Sequence, residues 1–302
     1  MLGGSDIHVN ELTGESIDEH GVDWPSVVTA RYSVEQTLRY EYEKPISNLH
    51  HQLIIVPRRH HLDQERLANH IWESSLGPLT LESDEFGNDI CAVSIARVER
   101  EIAFSLEATI LRDHRVGNTC ATAHDLIDPR WSGGRRLTRP NEAISQVAAE
   151  LRSLHPNQHE LAEEIVHFVH EHMTYTKNVT DVFTTAAVAF AQGRGVCQDY
   201  AHVAISLARA AGLSARYVSG HLLGEGATHA WVEFLVADRQ RGPIVLSYDP
   251  TYCKPTNYRY IVVAIGRDYD DVPPTSGVFT GKSASVLHGQ QRVRLLEVTY
   301  AA

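Results

Sequence analysis

The sequence predicts an α+β fold in two domains, an N-terminal antiparallel β-sandwich followed by a C-terminal α+β domain. Three observations carry this prediction. Residues 30–112 are a series of short β-type runs with no strong helical period among them. Residues 113–140 are rich in Arg, Gly, Pro and Asp, which is typical of a linker. Beyond the linker, helical patterns come first and strands follow, which is the order of elements in many α+β domains.

The N-terminal part begins with an arm and continues as the sandwich. Residues 1–28 mix Gly, Ser and acidic groups, and we predict that they form a flexible arm. The sandwich is predicted over residues 29–125. Its strands are indicated by the alternating run TARYSVEQTLRYEY, by the buried run QLIIVP that Pro57 closes, and by DICAVSIARV and REIAFSLEATIL, with the tight-turn sequence DEFGN before the third run.

The second domain is predicted over residues 126–302. One clear helix is QHELAEEIVHFVHEHM, in which apolar residues recur with the period of a helix. Another helix is predicted to begin at or next to Cys197 and to end near Ala211, because Gly212 can adopt the left-handed conformation that closes a helix. Strands are predicted near residues 214–223, 228–237, 243–249, 258–266 and 291–300.

Charge and composition exclude several classes of partner. The formal charge is −11, from 27 Lys and Arg against 38 Asp and Glu, and such a chain repels phosphate backbones and anionic membrane surfaces. We therefore expect neither nucleic acid nor a membrane as a partner. The first residues hold no long apolar run, and the four cysteines are scattered without a CxxC pair. A cytoplasmic location is the simplest expectation.

The thiol of Cys197 is the first candidate for catalysis. A thiol at the start of a helix faces unpaired backbone N–H groups and the positive end of the helix dipole, and both stabilise the nucleophilic thiolate. Cys197 shares one helical stripe with Ala201, Ala204, Ala208 and Ala211, whose small side chains allow a neighbouring sheet to approach closely. A lone cysteine is more often a small core residue, so this position needs partners to have catalytic meaning.

Two later segments supply such partners. RYVSGHLLGEGATHAWVEFLV predicts a hairpin with His229 at the start of its second strand, and Trp231 lies on the same face. In PIVLSYDPTY the strand ends at Asp249, because Pro250 cannot continue a ladder of hydrogen bonds. A carboxylate there can fix the tautomer of a histidine and stabilise its imidazolium. The three residues thus have the order and placement of a nucleophile, a base and an orienting carboxylate.

At these residues the sequence resembles the transglutaminase-like superfamily, specifically the bacterial transglutaminase-like cysteine peptidases. GRGVCQDYAH, ARYVSGHLLGEGATHAWVE and SYDPT are similar to the Cys, His and Asp boxes of that family. GRDYDDVPPTSGVFTG resembles its closing segment, and the strand-rich residues 30–112 resemble its N-terminal β domain. The resemblance implies a papain-like, transglutaminase-like α+β core beneath a β-sandwich.

The resemblance also implies roles for individual residues. Cys197 would be the nucleophile, His229 the general base and acid, and Asp249 the partner of the histidine. Two features depart from the pattern: His221 stands where an aromatic residue is expected, and Cys253 follows the aspartate closely enough to raise the question of a regulatory disulfide with Cys197. Both departures bear on substrate preference or regulation and leave the three catalytic groups in place.

The expected chemistry is acyl transfer through a thioester. Cys197 attacks a carboxamide or peptide carbonyl, His229 protonates the leaving amine, and water or another amine resolves the thioester. Gln198, Tyr200 and Trp231 are candidates for a second oxyanion donor or for substrate binding. We predict a peptidase or amidase acting on a peptide or protein substrate, with neither a metal nor an organic cofactor. The alternatives are a transglutaminase-type acyltransferase that uses an amine acceptor, and a non-catalytic interaction module; the oligomeric state is not predicted.

Overall fold

The fold is described by a computed structural model for residues 16–116, 121–238 and 240–301. Residues 1–15 of the predicted flexible arm therefore lie outside the described residues. The rest of that segment lies against the sandwich. The backbone N–H of Ile17 donates to the carbonyl of Leu295 at 2.8 Å, and two short 3-10 turns follow before the first strand.

The elements follow the predicted order, with strands first and helices after them. The strands of the described residues are β1 (Val27–Tyr42), β2 (Ile46–Leu53), β3 (His60–His61), β4 (Gln64–Glu73), β5 (Gly77–Pro78), β6 (Glu82–Ser83), β7 (Asp89–Val98), β8 (Glu101–Asp113), β9 (Thr174–Tyr175), β10 (Arg194–Gly195), β11 (Ser214–Leu222), β12 (Thr228–Asp238), β13 (Gly242–Asp249), β14 (Lys254–Pro255), β15 (Tyr260–Gly266), β16 (Thr275–Thr280) and β17 (Ser285–Tyr300). The helices are α1 (Ala123–Ile127), α2 (Pro129–Ser132), α3 (Glu142–Leu154), α4 (Gln158–His172), α5 (Ala186–Gln192) and α6 (Cys197–Ala210). None of the helices in this part of the chain is long and apolar enough to cross a membrane.

Two antiparallel sheets form the predicted sandwich. One has the order β17–β1–β8–β4–β3, with β5 also paired to β4, and the main strands of the other have the order β16–β2–β7 with the short β6 at its edge. Alternate residues of β1, such as Tyr32 and Val34, are fully buried, as are Phe104 and Leu106 of β8. Successive side chains of a strand point to opposite faces, so this alternation gives each sheet one face toward a shared core.

The C-terminal tail completes both sheets of the sandwich. β17 pairs with β1 along the whole length of β1, and β16 pairs with β2. The predicted boundaries placed this tail in the domain of residues 126–302, and the predicted strand at 291–300 starts too late. The reason is that alternation of side chains identifies a strand but does not identify its partner. Val286 and Leu287, at the start of β17, are exposed, so no buried face marks that end of the strand.

The C-terminal core is a sheet in the order β14–β13–β12–β11–β15, with α6 lying against β11 and β12. Helices α3, α4 and α5 surround α6 on its other sides. The predicted helix and its four following strands are confirmed close to their predicted bounds. Ala201, Ala204 and Ala208 have no exposed surface, as the alanine stripe requires for close approach of helix and sheet. α6 is therefore the central element of this half of the protein.

The polar face of α6 is buried as well, which the sequence does not indicate. Arg209 donates to the carbonyls of Trp131, Ala215 and Arg267 and to the Thr138 hydroxyl. Within the predicted linker, the segment from Trp131 of α2 to Thr138 thus covers this face. A buried guanidinium needs several acceptors, and backbone carbonyls of the covering segment supply them.

Two side-chain amides of the sandwich bind the edge strand β15 of the core. Gln64 accepts from the backbone N–H of Val262 and donates to its carbonyl, both at 2.8 Å. Asn88 makes the equivalent pair with Ile265, at 2.9 and 2.8 Å. Each amide takes the place of a residue in a neighbouring strand. The sandwich therefore satisfies an edge that would otherwise be unpaired and fixes the sheet that carries the candidate site.

Candidate active site

The first turn of α6 holds Cys197 in a fixed position. Its N-cap residue, Val196, has no polar side chain, and the Asp199 carboxylate accepts the backbone N–H of Val196 at 2.8 Å instead. The same carboxylate accepts the hydroxyl of Thr180 at 2.7 Å. A Cβ at Gly195 would collide with this carboxylate, so glycine is needed there. The sequence around the cysteine thus builds the start of the helix as well as its thiol.

The imidazole of His229 is bonded to the carboxylate of Asp249. His229 Nε2 lies 2.7 Å from Asp249 Oδ2, and the carboxylate is completely buried. Asp249 Oδ2 also accepts the hydroxyl of Tyr260 at 2.8 Å, and Oδ1 accepts the backbone N–H of Thr251 at 2.8 Å. The strand end predicted at Asp249 is present, and β12 and β13 lie side by side as that prediction requires. Several donors hold this buried carboxylate in one orientation.

Cys197 lies close enough to His229 to influence the charge of its imidazole, so the three predicted residues are neighbours. Because Asp249 occupies Nε2, Nδ1 is the ring nitrogen left for the thiol. Burial alone would lower the pKa of His229, but the hydrogen bond to Asp249, the interaction with Cys197 and the negative charges of these two groups outweigh burial and raise this pKa to about 10. The imidazole therefore holds a proton at neutral pH, with a buried carboxylate on one side and sulfur on the other.

Aromatic rings enclose the histidine. The ring centroids of Trp231, Tyr252 and Tyr260 lie 6.3, 5.8 and 6.1 Å from that of His229. Trp231 is buried, and a Cβ at Gly220 would meet its ring, so the glycine of the neighbouring strand makes room for it. These rings keep water away from the His229–Asp249 hydrogen bond and thereby strengthen it.

The three further candidates differ in how their donors are used. The indole N–H of Trp231 donates to the hydroxyl of Ser247 at 3.1 Å, and the hydroxyl of Tyr200 donates to the carbonyl of Met173 at 2.8 Å. Both groups are thus directed at other parts of the protein. The Nε2 of Gln198 is buried and has no partner among the described residues. Of the three, Gln198 alone has a side-chain donor free to bind a new acceptor.

Three functional neighbours of the triad escape sequence reasoning. Glu225 Oε2 lies 3.5 Å from His229 Nδ1, and its Oε1 accepts the hydroxyl of Tyr252 at 2.5 Å. The third neighbour is Tyr260, whose hydroxyl donates to Asp249. The one sequence signal for Glu225 is its position in the Gly-Glu-Gly turn of the hairpin, four residues before the histidine. Tyr252 reaches the site from the turn after β13, and Tyr260 through the pairing of β15 with β11, and the sequence has no comparable signal for either.

The structure also describes the two unusual residues noted in the sequence, Cys253 and His221. Cys253 and Cys197 are both free thiols, so the disulfide considered from the sequence is not formed in this structure. Burial raises the pKa of the Cys253 thiol, and the charge of Glu171 raises it further. His221 is fully buried, and burial lowers its pKa to about 4. His221 therefore remains neutral at physiological pH.

Two regions of the chain match known protein families. Residues 145–250 match the transglutaminase-like superfamily, and residues 32–111 match the bacterial transglutaminase-like N-terminal region. An uncharacterized protein of Mycobacterium tuberculosis is 26% identical over 288 residues, covering 86% of this chain and 91% of that protein. An uncharacterized protein of Mycobacterium leprae is 33% identical over 177 residues, and this match covers 55% of the present chain and 56% of the relative. The chain thus spans little more than half the length of that relative.

A solved structure shares the fold. A protein from Cytophaga hutchinsonii, proposed to be a cysteine protease, superimposes with a TM-score of 0.72 over 90% of this chain and 93% of its own, at 19% identity. The fold, the two matched regions and the thiol–imidazole pair define a cysteine-based enzyme. The chain belongs to the transglutaminase-like superfamily, and it combines the superfamily's core with the bacterial N-terminal region.

Proposed function

We propose that this protein is a cysteine-dependent amide or peptide hydrolase that works through a Cys197–His229–Asp249 triad and a thioester acyl-enzyme. The observation that carries the proposal is the 2.7 Å hydrogen bond between His229 Nε2 and Oδ2 of the fully buried Asp249, with Cys197 close enough to the imidazole to raise its pKa. Such an arrangement activates a nucleophile and supplies the proton that the leaving group needs.

The acylation step uses both ends of the imidazolium. The sulfur of Cys197 attacks the carbonyl carbon, and the carbonyl oxygen takes up the negative charge of the tetrahedral intermediate. When the C–N bond breaks, the proton on His229 Nδ1 passes to the nitrogen, which leaves as an amine. The products of this step are a thioester on Cys197 and a neutral imidazole held by Asp249.

The second step regenerates the enzyme. Neutral His229 removes a proton from water, and the resulting oxygen nucleophile attacks the thioester carbonyl. The C–S bond then breaks, the acid product leaves, and the proton on the imidazole is again available to the sulfur. Asp249 keeps the ring oriented throughout, and its bonds to Tyr260 and Thr251 support that role.

The oxyanion is proposed to be held by two donors at the start of α6. One is the backbone N–H of Cys197, which is in the first turn of a helix and has no intrahelical acceptor. The other is Nε2 of Gln198, the buried amide donor that lacks a partner among the residues described. Donors that are already oriented before the charge develops lower the barrier most.

The alternative function is a transglutaminase-type transfer of the acyl group to an amine, and one experiment separates the two. The protein is incubated with a mixed peptide library and a tagged primary amine, and the products are read by mass spectrometry. Cleaved or deamidated peptides support a hydrolase, whereas peptides that carry the tag support a transferase. Cys197→Ala is the control, and a non-catalytic interaction module would leave the library unchanged.

The proposed location is a reducing compartment such as the cytoplasm. The three cysteines within the described residues are free thiols, which agrees with that proposal. Labelling of intact cells with a thiol reagent that does not cross membranes tests it, because a cytoplasmic protein stays unlabelled until the cells are opened.

A further inference from the structure

Glu225 is the charged group nearest to the catalytic face of His229. Its Oε2 is 3.5 Å from Nδ1, the ring nitrogen that the proposed mechanism assigns to the leaving amine. The side chain of Glu225 is 31% exposed, whereas Asp249 on the other side of the ring is fully buried. A substrate can therefore reach the Glu225 carboxylate but cannot reach that of Asp249.

The carboxylate of Glu225 is held in position by a neighbour. Tyr252 donates its hydroxyl to Glu225 Oε1 at 2.5 Å, and its ring stacks on His229. The hydrogen bond to Glu225 raises the pKa of Tyr252, so this hydroxyl remains a donor at all relevant pH values. Oε2 is thereby left to face the reacting centre.

The charge of Glu225 is not neutralised by a lysine or arginine. Among the described residues, its one ionic neighbour within 4.0 Å is His229 itself. Lys254, a nearby cation, lies over the ring of Tyr252, at 4.7 Å from the centroid. Arg259, beside the same turn, is paired with Glu19 at 3.1 Å. The exposed carboxylate of Glu225 and the ring of Tyr252 thus form a surface that suits a cation.

We propose that Glu225 is a specificity residue that binds a basic side chain of the leaving peptide, so that the enzyme cleaves amide bonds followed by lysine or arginine. This inference rests on the proposed hydrolase function. The leaving nitrogen must approach Nδ1 to receive its proton, and the residue that carries this nitrogen then lies beside Oε2. An ammonium or guanidinium group there forms a charge-assisted hydrogen bond with Glu225 that no lysine or arginine of the described residues forms. An acidic residue at the same place would be repelled.

The first test uses the peptide library without an amine. Wild-type protein is expected to prefer lysine or arginine over glutamate, by about tenfold, at the first position after the cleaved bond. Glu225→Gln is expected to cleave the library with that preference lost, and Glu225→Lys to favour acidic residues instead. Cleavage by the wild type without a charge preference at this position would overturn the proposal. Attachment of one library peptide to the lysine side chain of another, in place of cleavage, would also overturn it, because the cation would then be the acyl acceptor.

A second test does not depend on turnover. Cys197 is modified by a cationic and by an anionic alkyl methanethiosulfonate, each of which transfers its thioalkyl group to the thiolate and releases methanesulfinate. Mass spectrometry of the modified peptides reports the rate at each cysteine. The ratio of cationic to anionic rates at Cys197 is expected to fall about fivefold or more in Glu225→Gln, and to fall in the wild type when salt is added.

A matched control isolates the effect of Glu225. Glu171 acts electrostatically on Cys253, so Glu171→Gln should lower the same ratio at Cys253 and leave Cys197 unaffected. An unchanged ratio at Cys197 in Glu225→Gln would contradict the proposal. If the wild type cleaves no peptide, the hydrolase function fails, whereas this ratio still decides whether Glu225 attracts cations to the thiol.

Discussion

His229 Nε2 lies 2.7 Å from Oδ2 of Asp249, and Asp249 has no exposed surface. This pair joins the end of β13 to the start of β12 beneath a layer of aromatic rings. A buried carboxylate in such a bond decides which nitrogen of the imidazole holds a proton when the other nitrogen is used for catalysis.

Asp249→Asn should reduce kcat by about 10³- to 10⁴-fold, because an amide at this position no longer stabilises the imidazolium and favours the wrong tautomer. The measurement is steady-state hydrolysis of a peptide identified from the library. The KM is expected to change little, since Asp249 does not reach the substrate. A loss of less than tenfold in kcat would contradict the assignment of Asp249 as the orienting group.

Tyr260→Phe should lower the free energy of unfolding by about 1–3 kcal/mol and reduce kcat as well, because a buried carboxylate loses one of its donors. Tyr200→Phe is the matched control. It also removes a buried hydroxyl, but that hydroxyl donates to the Met173 carbonyl, so kcat should stay within about threefold of the wild type. Equal losses of kcat in both variants would show that the tyrosines act only through stability.

The value of kcat/KM should fall on the alkaline side with a midpoint at about pH 10, where His229 loses its proton. The pKa of His229 lies above the ordinary value of 6.5, so the imidazolium that protonates the leaving amine is present below about pH 10 and is lost as the pH rises through that value. Asp249→Asn removes the strongest contribution that raises this pKa, and its alkaline limit should move to lower pH. If the alkaline limit of kcat/KM stays at the same pH in Asp249→Asn, a group other than His229 causes that limit.

Gln198→Ala should reduce kcat by about 10²- to 10³-fold if its amide holds the oxyanion. Alkylation of Cys197 by iodoacetamide forms no oxyanion, and its rate should remain close to that of the wild type. This contrast separates a catalytic role from a disturbed helix start, which would slow both reactions. An unchanged kcat would show that Gln198 is not the second oxyanion donor beside the backbone N–H of Cys197.

Gly195→Ala should destabilise the fold by about 2–4 kcal/mol, because the new Cβ would meet the Asp199 carboxylate that fixes the start of α6. The comparison is Gly226→Ala, where a Cβ would meet nothing within 4 Å and the free energy of unfolding should change by less than about 0.5 kcal/mol. Denaturant unfolding of the two variants measures the difference. Similar stabilities would contradict the role given to Asp199.

Much of this architecture could be predicted because local chemistry marks the ends of its elements. Gly212 has the left-handed backbone that closes α6, and Pro250 marks the end of β13, so Cys197 and Asp249 could be located at element ends from the sequence. The pairing of β17 with β1 depends on contacts distant in the chain, which no local pattern encodes. Glu225 was likewise missed, because its proximity to His229 depends on how the hairpin turn folds back.

Mass spectrometry of the acyl-enzyme during turnover of a cleaved peptide detects the proposed thioester itself. We expect a transient mass increase equal to the acyl part of the substrate, located on the peptide that contains Cys197 and removed by hydroxylamine, as is usual for a thioester. In Cys197→Ala both the adduct and the turnover should be absent. Turnover that survives this substitution would show that Cys197 is not the nucleophile.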